Sequence, residues 1–199
     1  MAVPTEAFRE WVLEDNFAGT RPAWPDVQLV QDVRPHELRK LRILNGAHSF
    51  LAYAGLGLRY SYVHEAIADP YLRRRTKQLM TEAGATLPAA LQDQVPDYIN
   101  ALLARFDNVD LEHRLDQIAM DGSQKIPYRF LETLRAGHGP IVAEAVRSWM
   151  EFCRVQTSNG RVLNDPKALD IARAVHSENP EAALLEVIGA RDLAAQVLG

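Results

Sequence analysis

The chain has 199 residues, of which 47% are hydrophobic and 24% are charged, and its formal net charge at pH 7 is -4. These values are typical of a globular protein with one real core, and they exclude the overall basic field that favours nucleic acid. The single cysteine, Cys153, excludes an internal disulfide and argues against a cysteine-built zinc site. We therefore expect no metal, a reducing cytoplasmic compartment and, because no apolar run approaches roughly 20 residues, no membrane span.

Residues 1–31 predict an irregular arm, because three prolines and a glycine interrupt every regular pattern in it. The sequence VQLV at residues 27–30 predicts a short strand within this arm. The arm also holds four apolar side chains that could dock on a core, namely Phe8, Trp11, Val12 and Phe17.

From Pro35 the pattern becomes helical, with Asp32 as the expected N-cap and Pro35 in the first turn. The first predicted helix runs to residue 58. Later helices are predicted at residues 61–68, 71–83, 96–106, 111–120, 126–134 and 140–155, after Asp165-Pro166, and as a pair opened by Pro180 and split by Gly189. The sequence therefore predicts one all-α domain of about eight to ten helices over residues 32–199.

Lys40 occupies an unusual position in the first predicted helix. At about 100° per residue, it falls on the apolar stripe of Leu44, Ala47 and Leu51, while Arg39, Arg42 and Ser49 fall on the opposite side. One interpretation is that the lysine stem covers apolar surface and the ammonium reaches water. The other is a desolvated amine with a lowered pKa, which can act as a general acid or base.

Asn45 and His48 follow on adjacent faces of the same helix. Three polar groups among apolar neighbours are costly to bury unless they meet one another or a polar ligand. Convergence of Lys40, Asn45 and His48 would form a pocket for a small, oxygen-rich molecule.

Three stretches of this sequence resemble the polyol-specific long-chain dehydrogenases, of the mannitol dehydrogenase and fructuronate reductase type. Residues 32–49, DVRPHELRKLRILNGAHS, are similar to the signature helix of that family, in which a lysine is followed by an asparagine five residues later and a histidine three residues after that. Residues 8–17, FREWVLEDNF, resemble the segment leading into its C-terminal domain. Residues 113–127, HRLDQIAMDGSQKIP, resemble a further typical stretch.

The resemblance implies hydride transfer between NAD or NADP and a secondary alcohol carbon of a sugar alcohol or sugar acid, without a metal. It implies that Lys40 transfers the alcohol proton, that Asn45 holds the reacting oxygen and that His48 binds substrate hydroxyls. Lys125 is a candidate substrate-side cation, with a solvated loop lysine as the alternative. Arg114 and Gln117 are weaker pocket candidates, for which the polar face of a helix is the favoured interpretation.

A dinucleotide-binding turn is missing, because no G-x-G-x-x-G follows a strand-like run anywhere in the sequence. The resemblance therefore implies that residues 1–31 are an arm or linker from an absent N-terminal Rossmann domain. That domain would be the partner that binds the cofactor, and this chain alone would not turn over substrate. The alternative is a non-catalytic helical interaction or sugar-binding module derived from the same domain.

Overall fold

The structure, a computed structural model, describes residues 9–137 and 139–199. Two short strands, β1 (Val12–Glu14) and β2 (Gln28–Val30), lie in the arm. The rest of the described chain is built mainly of helices, and 66% of the described residues are helical, which confirms the all-α prediction.

The first helix has three consecutive segments. It begins as α1 (Arg34–Arg39), widens into a first π-helical turn (Lys40–Asn45) and continues as α2 (Gly46–Gly57). Pro35 lies in the first turn, as predicted. The N-cap position is Val33, one residue later than expected, although the Asp32 carboxylate still accepts a hydrogen bond from the Arg34 backbone N–H at 3.0 Å.

The helices that follow are α3 (Val63–Ala68), α4 (Pro70–Gly84), α5 (Ala89–Gln92), α6 (Val95–Phe106), α7 (Leu115–Ile118), α8 (Gly122–Ile126), α9 (Glu132–Arg135), α10 (Pro140–Ser158), α11 (Ala168–Val175), α12 (Pro180–Val187) and α13 (Ala194–Leu198). A second π-helical turn (Pro127–Leu131) joins α8 to α9. Two 3-10 turns lie at Val109–Leu111 and Arg191–Leu193. The described residues thus form more helices than expected, because π-helical turns divide the predicted helices at 35–58 and 126–134 and because α5 was not predicted.

Helix α2 lies at the centre of the domain and packs against α3, α4, α7 and α10. Its side chains Phe50 and Leu51 are fully buried. On α10, Trp149 and Cys153 are also buried, with at most 1% of their surface exposed. Cys153 is therefore a core cysteine. Among the described residues, no helix is long and apolar enough to cross a bilayer.

The two strands of the arm pair in parallel, with Val12 opposite Gln28 and Glu14 opposite Val30. This confirms the predicted strand at 27–30, whereas β1 was not predicted. The expectation that Trp11 docks on a core is wrong: it is 53% exposed and stacks on Trp24 with ring centroids 5.7 Å apart. Phe17 meets the edge of Trp24, and Phe8 lies outside the described residues.

Candidate functional site

The π-helical turn changes which residues of the first helix share a face. Its i→i+5 hydrogen bonding places one more residue in the turn than an α-helix has. Lys40 and Asn45 therefore stand one turn apart, and Asn45 and His48 are i,i+3 neighbours across the start of α2. From this geometry we infer that Asn45 and His48 turn toward the side of Lys40, whereas an uninterrupted α-helix would place Asn45 about 140° from Lys40.

The same extra residue corrects the expected burial of Lys40. Lys40 is exposed and does not lie on the buried apolar stripe, whereas Leu44 and Ala47 are buried. The wheel used 100° for every residue, but one inserted residue rotates all later positions by about 100° relative to Lys40. Asn45 and His48 are partly exposed and border the same face.

The expectation of a solvated opposite side is also wrong for two residues. Ser49 is fully buried, and Arg39 is only 6% exposed. The arm covers Arg39, whose guanidinium donates to Glu10 Oε1 at 2.7 Å and to Gln94 Oε1 at 2.8 Å and lies 4.5 Å from the Tyr98 ring centroid. Because Arg39 directly precedes Lys40, this network ties the arm to the start of the π-helical turn.

The His48 side chain packs against an aromatic ring and lies near charged side chains. Its ring centroid lies 4.7 Å from that of Phe106 and 5.8 Å from that of His113, and its buried Nε2 has no hydrogen-bond partner within the described part of the chain. Burial, together with the charges of His113, Arg105 and Arg129, lowers the pKa of His48 to about 3. The imidazole is therefore neutral at pH 7.

Lys125 lies on α8, so the alternative of a solvated loop lysine is wrong. Its ammonium donates to the Ile118 carbonyl at 3.3 Å and lies 3.9 Å from the Asp121 carboxylate, and the side chain is about a quarter exposed. Burial, followed by the positive charge of Arg129, lowers the pKa of Lys125. Neither Arg114 nor Gln117 is buried, and Arg114 pairs with Asp116 at 2.6 Å.

Arg129 was missed by the sequence analysis. It lies in the second π-helical turn, where Nη1 donates to the Asn45 carbonyl at 3.2 Å and to Ser49 Oγ at 2.6 Å. A signal for it existed, since Arg129 follows Lys125 at the i,i+4 spacing that places two side chains on one helix face. Through these hydrogen bonds, Arg129 links the helix that carries Lys125 to the helix that carries Asn45 and His48.

A wide cleft of about 810 Å³ lies elsewhere, between the end of α2 and α10. Its lining includes Tyr53, Leu58, Phe152 and Val155 and none of Lys40, Asn45, His48 or Lys125. Lys40 is exposed, Asn45 and Lys125 are partly exposed, and His48 Nε2 is buried, so the candidate residues are separate from this cleft.

The described residues do not fit a dinucleotide. A Rossmann site needs a glycine-rich turn from a strand into a helix within a larger parallel sheet. Here the sheet of the described residues has two three-residue strands, and β2 leads to α1 through Gln31, Asp32 and Val33, without a glycine. We therefore assign no step of the chemistry to cofactor contacts made by these residues.

The described residues thus form an all-α domain that carries Lys40, Asn45 and His48 on its first helix. Residues 32–196 match the mannitol dehydrogenase C-terminal domain family. The chain belongs to this family.

Its relatives include an uncharacterized oxidoreductase of Escherichia coli, YdfI, which is 40% identical over 184 residues, covering 88% of this chain and 38% of the relative. D-mannonate oxidoreductase of the same organism is 40% identical over 171 residues, covering 82% of this chain and 35% of the relative. The structure of Pseudomonas fluorescens mannitol 2-dehydrogenase, in a ternary complex with NAD and D-mannitol, superposes with a TM-score of 0.73 at 29% identity. That match covers 94% of this chain and 39% of the other. The chain thus spans about two fifths of the length of these relatives.

Proposed function

We propose that this chain is the substrate-binding and proton-transfer domain of an NAD(P)-dependent oxidoreductase that interconverts a sugar alcohol or sugar acid and its keto form. The observation that carries the proposal is the π-helical turn at Lys40–Asn45, an uncommon element that directly precedes the segment of His48 in the same helix. Family membership over residues 32–196 supports it, as do relatives named for mannonate and mannitol.

In this proposal Lys40 is the proton-transfer group. Its neutral amine takes the proton from the substrate hydroxyl when the alcohol is oxidised, and its ammonium returns that proton when the keto form is reduced. The exposure of Lys40 suits a group that meets a substrate at the surface of this domain.

Asn45, His48 and Lys125 would hold the substrate. The Asn45 amide donates to the reacting oxygen, where a donor aimed at developing negative charge stabilises it by roughly 3 to 4 kcal/mol. The neutral His48 imidazole, with Nε2 otherwise unpaired within the described chain, hydrogen-bonds a substrate hydroxyl. Lys125 provides a cation for the oxygen-rich substrate, and a sugar-acid carboxylate would use it most strongly.

A nicotinamide cofactor would be held by an N-terminal Rossmann domain, with residues 1–31 as the arm or linker that joins it to the helical domain of residues 32–199. The parallel pairing of β1 and β2 supports this division. Parallel strands occur almost only in larger sheets that are covered on both faces, so an isolated pair fits the margin of a further domain.

The experiment joins this chain to the upstream part of Escherichia coli D-mannonate oxidoreductase that it does not match. NADH formation is then followed with D-mannonate and D-mannitol. We expect turnover with one of them, and we expect Lys40→Ala to lower kcat by about 100-fold or more, because general acid–base catalysis typically contributes at least that much.

Lys77→Ala is the matched control, since Lys77 is an exposed lysine on α4, and its activity should equal that of the unaltered fusion. Added methylamine should restore part of the activity of Lys40→Ala, because a free amine can replace a lost proton acceptor but not a lost structural contact. Near-normal kcat in Lys40→Ala would rule out the proton-transfer role. Sugar binding by this chain without turnover in any fusion would instead favour the non-catalytic module.

A further inference from the structure

Arg129 bridges the two π-helical turns. From the second turn, its Nη1 donates to the carbonyl of Asn45, the last residue of the first turn, at 3.2 Å. The same nitrogen donates at 2.6 Å to Ser49 Oγ, one α-helical turn further on. Arg129 thus spans the junction at which the π-helical turn becomes α2.

The backbones meet closely at this junction. A methyl group added to Gly46 would lie 3.3 Å from the Phe130 ring and 3.8 Å from the Arg129 carbonyl oxygen. Because Gly46 packs tightly against Phe130 and Arg129, a change in one turn is transmitted to the other.

Within residues 9–137 and 139–199, no ion pair compensates the charge of Arg129. A half-buried guanidinium is costly unless its donors are satisfied, and a carboxylate partner is the usual compensation. Burial lowers the pKa of Arg129, which agrees with this unpaired position. The described polar contacts of the Arg129 side chain are therefore its hydrogen bonds to the Asn45 carbonyl and to the buried Ser49 hydroxyl.

We propose that Arg129 is a positioning residue, which holds the first π-helical turn in place through the Asn45 carbonyl and Ser49 and so keeps Lys40 in line with Asn45 and His48. This inference rests on the proposed function. An i→i+5 turn is rare and occurs mostly as a single turn within an α-helix, so contacts from outside the helix are expected to support it. Without Arg129, the segment would lose a charged donor at the end of the turn, and Lys40 would shift relative to Asn45.

The structural test uses this chain alone. In Arg129→Met, the backbone amides of residues 40–49 should exchange with solvent at least about tenfold faster, because hydrogen bonds from a charged donor are lost there. Amides of α10 and α12 should change little. Arg129→Lys, which retains one charged donor, should fall between Arg129→Met and the unaltered chain. Arg173→Met is the matched control, since Arg173 is exposed and pairs only with Asp170 one turn away among the described residues.

The functional test measures kcat and KM with D-mannonate and D-mannitol in the fusion described above. A displacement of about 1 Å at the reacting groups costs about 100-fold, so we expect kcat to fall by that order in Arg129→Met while KM stays within about threefold. Arg129→Lys should recover part of kcat. If Arg129→Met fails to fold, Ser49→Ala decides, since it removes one acceptor and should accelerate exchange at residues 40–49.

The positioning role is overturned if hydrogen exchange of the backbone amides of residues 40–49 is unchanged in Arg129→Met. If Arg129→Met does not fold, the same result in Ser49→Ala overturns it. An equal loss of protection in all helices also overturns it, because the residue would then act on the whole fold. If the unaltered fusion oxidises neither sugar, the proposed function fails, whereas the exchange data still decide whether Arg129 holds the turn.

Discussion

His48 shows how burial sets the chemistry of a single side chain. The ring packs on Phe106, and Nε2 is buried without a hydrogen-bond partner in the described part of the chain. Because burial and the nearby charges of His113, Arg105 and Arg129 lower its pKa to about 3, the imidazole is uncharged over the physiological range. A neutral ring has one donor and one acceptor nitrogen, which suits a hydroxyl-bearing ligand.

This depressed pKa predicts a loss of stability in acid. The unfolded histidine titrates near 6.5, and the folded one near 3. Between about pH 6.5 and pH 3, His48 binds a proton in the unfolded chain but stays neutral in the native chain. The free energy of unfolding therefore falls as the pH drops through this range. Urea unfolding between about pH 7 and pH 4 should show a slope that is steeper in the unaltered chain than in His48→Gln, by up to about 1.4 kcal/mol per pH unit.

His176→Gln is the control, because His176 is exposed. It should retain the full slope. Identical slopes in the unaltered chain and in His48→Gln would contradict a buried, neutral His48.

At the level of elements, the two π-helical turns and the tight start of α8 decide how the candidate residues are presented. Asp121 adopts a left-handed conformation with φ of 57°, and Gly122 begins α8 directly after it. A methyl group on Gly122 would collide with the Trp149 indole nitrogen and would lie 2.8 Å from the Tyr53 hydroxyl. The glycine of the DGSQK run is therefore required by packing, and it sets the position of Lys125 three residues later.

Gly122→Ala tests this packing. Overfilling a close-packed site typically costs 1 to 3 kcal/mol, so we expect the free energy of unfolding to fall by about that amount. The comparison variant is Gly57→Ala at the end of α2, where an added methyl group meets nothing within 4 Å. That variant should be unchanged or more stable by up to about 1 kcal/mol, as expected for alanine replacing glycine in a helix. Equal stabilities of the two variants in urea titrations would show that Gly122 is not constrained.

At the level of the whole molecule, the C-terminal third supports the segment that carries Lys125. Helix α10 packs on α2, and Asp165, which precedes α11, accepts hydrogen bonds from the Ser123 backbone N–H at 2.8 Å and from Ser123 Oγ at 2.5 Å. The Asp121 N–H donates to the Asn164 carbonyl at 2.9 Å. The family match extends to residue 196, although the sequence resemblance was traced only to residue 127.

Asp165→Ala should therefore destabilise α8, because it removes the acceptor of two hydrogen bonds from Ser123, which lies more than forty residues away in sequence. Removing a charged acceptor costs about 1.5 to 3 kcal/mol, and we expect the free energy of unfolding to fall by this amount. Asp170→Ala is the matched control, because this exposed carboxylate pairs with Arg173 one turn away and should change stability by less than about 0.5 kcal/mol. Chemical denaturation of both variants provides the measurement, and an Asp165→Ala variant as stable as the control would contradict the link.

The all-α class, most of the helix starts, one strand of the arm and the spacing of Lys40, Asn45 and His48 could be predicted from the sequence. These features depend on local chemistry, such as proline at a helix start or apolar side chains at helical spacing, and each can be recognised within a few residues. Only the tertiary structure decided the π-helical turns, the exposure of Lys40, the burial of Arg39 and Ser49 and the bridge made by Arg129. The segment KLRILN has an ordinary helical pattern, and its extra residue is held by groups distant in sequence. Since one residue added to a turn rotates everything after it by about 100°, this long-range contact decides which side chains share the candidate site.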